Sequence, residues 1–167
     1  MKRTSFANWP CSIARTVDLI GDGWTPMVLR EAFYGTTRFD DFERVLGIGR
    51  NVLSQRLGRL VDEGLLERKA YQQNPPRFDY VLTAKGRELF PVLAAMMAWG
   101  DRWLASSDGP PVLLRHTACG HDAQAAVVCG ECGEPLELAD VRPHLGPGFP
   151  DRLRESALAM GRFAPGD

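Results

Sequence analysis

The sequence predicts an α+β fold, and three observations carry that prediction. Apolar residues recur three and four apart through two short stretches joined by a glycine-bearing turn. Two β-prone runs follow at once, separated by a polar loop with two prolines. A long stretch with a wide apolar stripe comes next, and a small β-rich, ribbon-like tail is expected beyond it.

Residues 12–20, with Trp24, Val28, Leu29 and Phe33, predict two helical pieces interrupted at Gly21-Asp22-Gly23, with Pro26 where a helix can begin. Phe39, Phe42, Val45 and Leu46 share one face of a short helix over 38–46 that stops at Gly47. After a turn, residues 51–63 carry Val52, Leu53, Leu57, Leu60 and Val61 on one side, and Gly64 ends that helix. Two helices joined this way are a helix-turn-helix. Strands are expected over 65–71 and 78–82, and a hairpin directly after a helix-turn-helix is a wing. Thr83 should cap a long helix over 84–105, kinked at Pro91. Its stripe of Leu89, Leu93, Met96, Gly100 and Trp103, with Val92 and Trp99 beside it, is broader than a small domain covers, which predicts a dimerisation helix. Residues 106–111 read as a linker and 152–162 as a short last helix. The expected organisation is a winged helix-turn-helix and dimerisation domain over 1–105 and an extension over 106–167.

At 167 residues and 44% hydrophobic composition the chain can bury a core without disulfides. No run approaches the ~20 apolar residues of a membrane span, and residues 1–10 lack the apolar region of a secretory signal, so the cytoplasm is the expected compartment and no membrane partner is expected. The net charge of -1 hides an asymmetry. Residues 1–105 carry 15 Lys and Arg against 12 Asp and Glu, while the remainder carries 5 against 9. A basic body and an acidic tail suit a body that faces an anion.

Seven ordered blocks resemble a known family: Cys11-Ser-Ile-Ala, Leu19-Ile-Gly-Asp-Gly-Trp24, Arg38-Phe-Asp-Asp-Phe, Ile48-Gly-Arg-Asn-Val-Leu-Ser-Gln-Arg-Leu57, Gly64-Leu-Leu-Glu-Arg68, Pro75-Pro-Arg-Phe-Asp-Tyr80 and Leu82-Thr-Ala-Lys-Gly86. Over residues 11–104 the chain resembles the HxlR-type regulators, relatives of the MarR group. The resemblance implies a homodimeric winged-helix transcription factor acting on double-stranded DNA at a palindromic operator, with residues 51–63 as the recognition helix. It also makes Cys11 a candidate redox sensor, because some members sense oxidants through an N-terminal cysteine. Placement before a helix would favour its thiolate, and the competing reading is a small buried residue.

The start of a recognition helix points into the major groove, so Arg50, Asn51, Ser54 and Gln55 are the candidates for base edges. Arg56 and Arg59, further along, suit phosphates, as do Lys69 and Arg77 on the hairpin, the latter also within reach of a minor groove. The competing reading is a solvated polar face, or Arg56 paired with Glu43 or Asp62. Trp24, Trp99 and Trp103 are candidates for an effector pocket, although such side chains more often form core or dimer interface. No feature identifies an effector.

In the tail, His116-x-x-Cys119 and Cys129-x-x-Cys132 stand nine residues apart. Zinc takes four N or S ligands in a tetrahedron, and an x-x spacer lets one tight turn present two of them. His116, Cys119, Cys129 and Cys132 are therefore the expected ligands of a structural Zn2+, with His121 as a substitute for His116; the alternative is a metal-free ribbon. An enzyme would have to use this same cluster. His121-Asp-Ala lacks the Glu of a zinc deaminase, and no phosphate loop, G-x-S-x-G elbow or H-E-x-x-H helix is present. The expected function is a DNA-binding regulator and not an enzyme, with a winged-helix protein-protein adaptor as the alternative.

Overall fold

The computed structural model describes residues 4–161 and Phe163. In chain order the elements are α1 (Ser12–Ile20), α2 (Thr25–Phe33), α3 (Phe39–Leu46), α4 (Arg50–Asp62), β1 (Leu66–Gln72), β2 (Arg77–Leu82), α5 (Ala84–Arg87), α6 (Phe90–Trp103), β3 (Leu114–His116), β4 (His121–Ala123) and α7 (Asp151–Ala159). Two compact units form, one spanning residues 22–125 and the other combining the chain before residue 22 with the chain from 126 onward. The expected boundary at 105/106 does not coincide with them: α1 groups with the C-terminal chain, and β3 and β4 group with the winged body.

In the 22–125 unit, α2, α3 and α4 surround a core of Val28, Leu29, Phe42, Leu53 and Leu57, all fully buried, closed by Leu60, Leu65 and Leu66. At about 25 cal/mol per Å² of apolar surface, burying such side chains is the main favourable contribution to folding. Gly47 ends α3 in the left-handed region at φ 61°, where its amide bonds to the Glu43 carbonyl, and the chain turns into α4 within three residues.

β1 and β2 pair antiparallel from Leu66 opposite Leu82 to Gln72 opposite Arg77, with a bulge between Ala70 and Gln72. The hairpin is tied to the helices. Arg38 bridges Asp79 on β2, and the Tyr80 amide donates to the Thr37 carbonyl at 2.8 Å. Thr83 caps the next helix as expected, its hydroxyl accepting from the Gly86 amide at 3.0 Å and donating to the Gly64 carbonyl at 2.6 Å.

The long helix expected over 84–105 is instead two. α5 ends at Arg87 and α6 begins at Phe90 with Pro91 in its first turn. Proline has no N–H and its ring collides with the carbonyl four residues back, so the chain restarts rather than bends. Phe90 meets Phe33 of α2 edge-on, ring centres 5.4 Å apart.

In the other unit the Cys11 thiol accepts from the Ala14 amide at the start of α1, and Asp18 accepts from the Phe6 amide at 2.8 Å. Within the first turn of α7 Arg154 pairs with Asp151 at 2.9 Å, and its guanidinium donates to the Gly146 carbonyl ahead of the helix at 3.3 Å. The last helix was expected to reach Arg162, which lies outside the described residues.

Candidate nucleic-acid interface

α4 is held from behind. Leu53, Leu57 and Leu60 sink into the core, and the 3.6-residue period leaves Asn51, Ser54, Gln55 and Gly58 exposed along the opposite side. This stripe offers amide and hydroxyl groups that can bond base edges. Arg50, first in the helix, is already engaged: its guanidinium lies over the Phe39 ring at 4.8 Å and bonds to Asp40 at 3.2 Å and Glu43 at 2.5 Å.

Arg56 turns inward, and neither Glu43 nor Asp62 is its partner. Its Nε lies 3.0 Å from Asp22 with a quarter of the side chain exposed, an ion pair in which the N–H is not aligned on the oxygen. The expectation of a phosphate contact gives way here to a tie between α4 and the segment leading into α2. Asp22 also accepts from the amides of Trp24 and Thr25 and from the Thr25 hydroxyl. Burial works to raise its carboxyl pKa, but the Thr25 and Trp24 hydrogen bonds and the Arg56 charge outweigh it and hold the group below the ordinary carboxylate value. Asp22 escaped the sequence reading, although an Asp just before a Thr-Pro helix start is a capping signal.

Arg59 is half-buried further along α4, and Arg77 is exposed at the base of the hairpin tip. Lys69 is exposed and pairs with Glu67 at 3.0 Å, a contact worth little at the surface. Arg38, also missed, stacks over the Tyr71 ring at 4.8 Å.

Cys11 is exposed, not a buried small residue. An apolar cavity of about 230 Å³ lies between α2 and α6, lined by Met27, Phe33, Phe90, Leu93, Met96 and Met97 among others. None of the three tryptophans lines it; Trp99 and Trp103 stand on α6 with 59% and 67% of their surface exposed, beside Met96 at 53%.

The two tail turns share one geometry. The Gly120 amide donates to the His116 carbonyl at 2.7 Å and the Gly133 amide to the Cys129 carbonyl at 2.9 Å, with the glycines at φ 73° and 78°. His116 Nδ1 lies 3.2 Å from Cys119 Sγ. The Cys129 thiol is pulled below its ordinary value by hydrogen bonds from the Cys132 and Glu131 amides and the Cys132 side chain. His121 sits at the start of β4, exposed. His116 and Cys119 belong to one compact unit and Cys129 and Cys132 to the other, and among the described residues no group of three or more His, Cys, Asp or Glu gathers for a metal.

The HxlR-like helix-turn-helix family matches residues 19–108, which span the core, α4 and the wing. The chain belongs to the HxlR-like family. An uncharacterised HTH-type transcriptional regulator of Mycobacterium tuberculosis (strain H37Rv) is 44% identical over 145 residues, 87% of this chain and 92% of the relative. A second, from Synechocystis, is 42% identical over 95 residues, 56% of this chain and 70% of the relative. Among solved structures, the proposed transcription factor PA1607 superposes with a TM-score of 0.75 at 36% identity, covering 86% of this chain and 99% of that one. The redox regulator HypR in its reduced form superposes at 0.52 and 32% identity, over 56% of this chain and 96% of its own. This HxlR-like chain is a helix-turn-helix transcriptional regulator and not an enzyme. No helix among the described residues is long and apolar enough to cross a membrane.

Proposed function

We propose that this regulator acts in the cytoplasm as a homodimer on a palindromic operator, with α4 in the major groove and the β1–β2 wing on the adjacent backbone. The observation that carries the reading is the exposed stripe of Asn51, Ser54 and Gln55 on a helix whose other side is locked into the core. Two-fold symmetry places half-site centres about one helical turn of DNA apart. Gln55→Ala is expected to shift base preference and cost ~1–3 kcal/mol at the operator, whereas Arg77→Ala weakens operator and random duplex alike and flattens the salt dependence. Equilibrium binding to both duplexes across a salt series checks this, and two variants indistinguishable from wild type would remove α4 and the wing from the interface. An adaptor that has lost DNA binding would show no salt-dependent affinity for any duplex.

The exposed Met96, Trp99 and Trp103 of α6 support a second copy of the chain as the partner on that face. Sedimentation at micromolar concentration is expected to give a dimer, and Trp103→Glu to weaken it; a wild-type monomer defeats this assignment.

For the tail, the repeated turn geometry supports one structural Zn2+ on His116, Cys119, Cys129 and Cys132. The purified chain should carry about one zinc, and Cys129→Ser should lose it and open residues 112–140 to proteolysis, since structural metal binding is coupled to folding. Metal analysis without zinc, with a tail equally resistant in Cys129→Ser, would leave the metal-free ribbon.

A further inference from the structure

Between the wing and the start of α4 lies a polar cleft of about 410 Å³, lined by Arg38, Arg50 and Arg77, by Tyr71 and Tyr80, and by Asp40 and Asp41 among others. Its charges are unevenly spent. Asp40 and Glu43 hold Arg50, Asp41 holds Arg44, and Asp79 accepts from the Thr37 hydroxyl at 2.8 Å. What remains is Arg38, whose nearest carboxylate oxygen is 3.9 Å away, and Arg77, which has no ion pair among the described residues. Arg38 is 60% exposed, yet its guanidinium is fixed in place by the Tyr71 ring beneath it.

We infer that this cleft seats one backbone phosphate of bound DNA, with Arg38 and Arg77 as its two cationic walls. A phosphodiester carries one negative charge and unprotonated oxygens, and a guanidinium presents a planar fork of donors that matches them. Stacking on Tyr71 fixes the Arg38 fork beforehand, so less side-chain freedom is lost on binding than for a free arginine. Arg38 thereby joins the interface from the loop before α3, outside both the recognition helix and the hairpin. The inference rests on the DNA-binding reading above and adds a phosphate contact to it.

The test uses the full chain and a set of operator duplexes, each with one neutral methylphosphonate linkage. Arg38→Ala is expected to weaken operator and random DNA by the same factor, about five- to tenfold near physiological salt, and to reduce the slope of log affinity against log salt by about 1. Arg38→Lys keeps the slope and loses part of the affinity. One methylphosphonate position should weaken wild type more than it weakens Arg38→Ala, whose remaining penalty is the Arg77 contact, and a merely structural role of Arg38 would not produce this; thermal melting confirms that each variant is folded. Unchanged affinity and slope in Arg38→Ala, or methylphosphonate penalties that add to it at every linkage, overturn the seat while leaving the DNA reading intact. A wild-type chain with no salt-dependent affinity for any duplex overturns both.

Discussion

Gly86→Ala is expected to be strongly destabilising. A Cβ at residue 86 would stand 2.1 Å from the Leu65 carbonyl oxygen and 3.1 Å from Leu82 Cδ2. The first obstacle is backbone at the root of the wing, and that carbonyl already accepts from the Thr83 amide at 3.1 Å. To make room, α5 must lift from the hairpin and give up the Thr83 bonds to Gly64 and to Gly86 itself. Overpacking of this kind costs about 3 kcal/mol at its upper end, against a gain of only ~1 kcal/mol from replacing a helical glycine. Urea unfolding should show a net loss of about 2 kcal/mol or more. Gly58→Ala, in α4 with nothing within 4 Å of its added Cβ, is the control and should hold stability or raise it. Equal midpoints for the two variants would mean that the contact at Gly86 yields at no cost.

Loss of the Asp22 carboxylate should come second. Asp22→Ala removes the cap from the start of α2 and strands a largely buried Arg56, for an expected cost of about 2–3 kcal/mol. Asp22→Asn keeps hydrogen-bonding capacity but not the charge and should cost less. The pH dependence has a fixed sign. The carboxyl is held below its ordinary value of 3.8, so the unfolded chain binds its proton first as acid is added. The stabilisation is complete above about pH 5 and is lost as pH falls through the ordinary value and then the lower folded one. Between about pH 5 and pH 3 the wild type should therefore lose more stability than Asp22→Asn, measured by thermal or urea unfolding. Parallel curves would remove the Asp22 charge from the stability of the fold.

What could be read from the sequence was local. Gly47, Gly64 and Thr83 mark the helix ends within a few residues of where they act, because caps and left-handed turns are decided by neighbouring backbone. The wing strands came within one residue at each end for the same reason. Pro91 was legible as a disturbance but not in degree: a kink needs the preceding helix to survive, and α5 has only four residues with which to do so. The partners of Arg56 and Arg38 lie 34 and 33 residues away along the chain, in Asp22 and Tyr71. Periodicity ranks the faces of a helix, but it does not say which distant loop returns to meet one. The polar stripe of α4 was therefore visible as a set, while the side chain that leaves that set for the interior was not.

The bond from the Tyr80 amide to the Thr37 carbonyl has a mechanical meaning. With it, the hairpin stops being an arm hinged only at residues 65 and 83 and becomes a flange bolted at a third point, to the segment that leads into α3. Three fixings define a plane, so the distance from the exposed stripe of α4 to the tip of the wing is set by covalent geometry and hydrogen bonds rather than chosen on contact. In the proposed complex a gauge of fixed span would measure what it meets: duplexes whose groove spacing departs from that span would have to bend to fit it, and the stiffness of a DNA sequence would become part of what the protein reads.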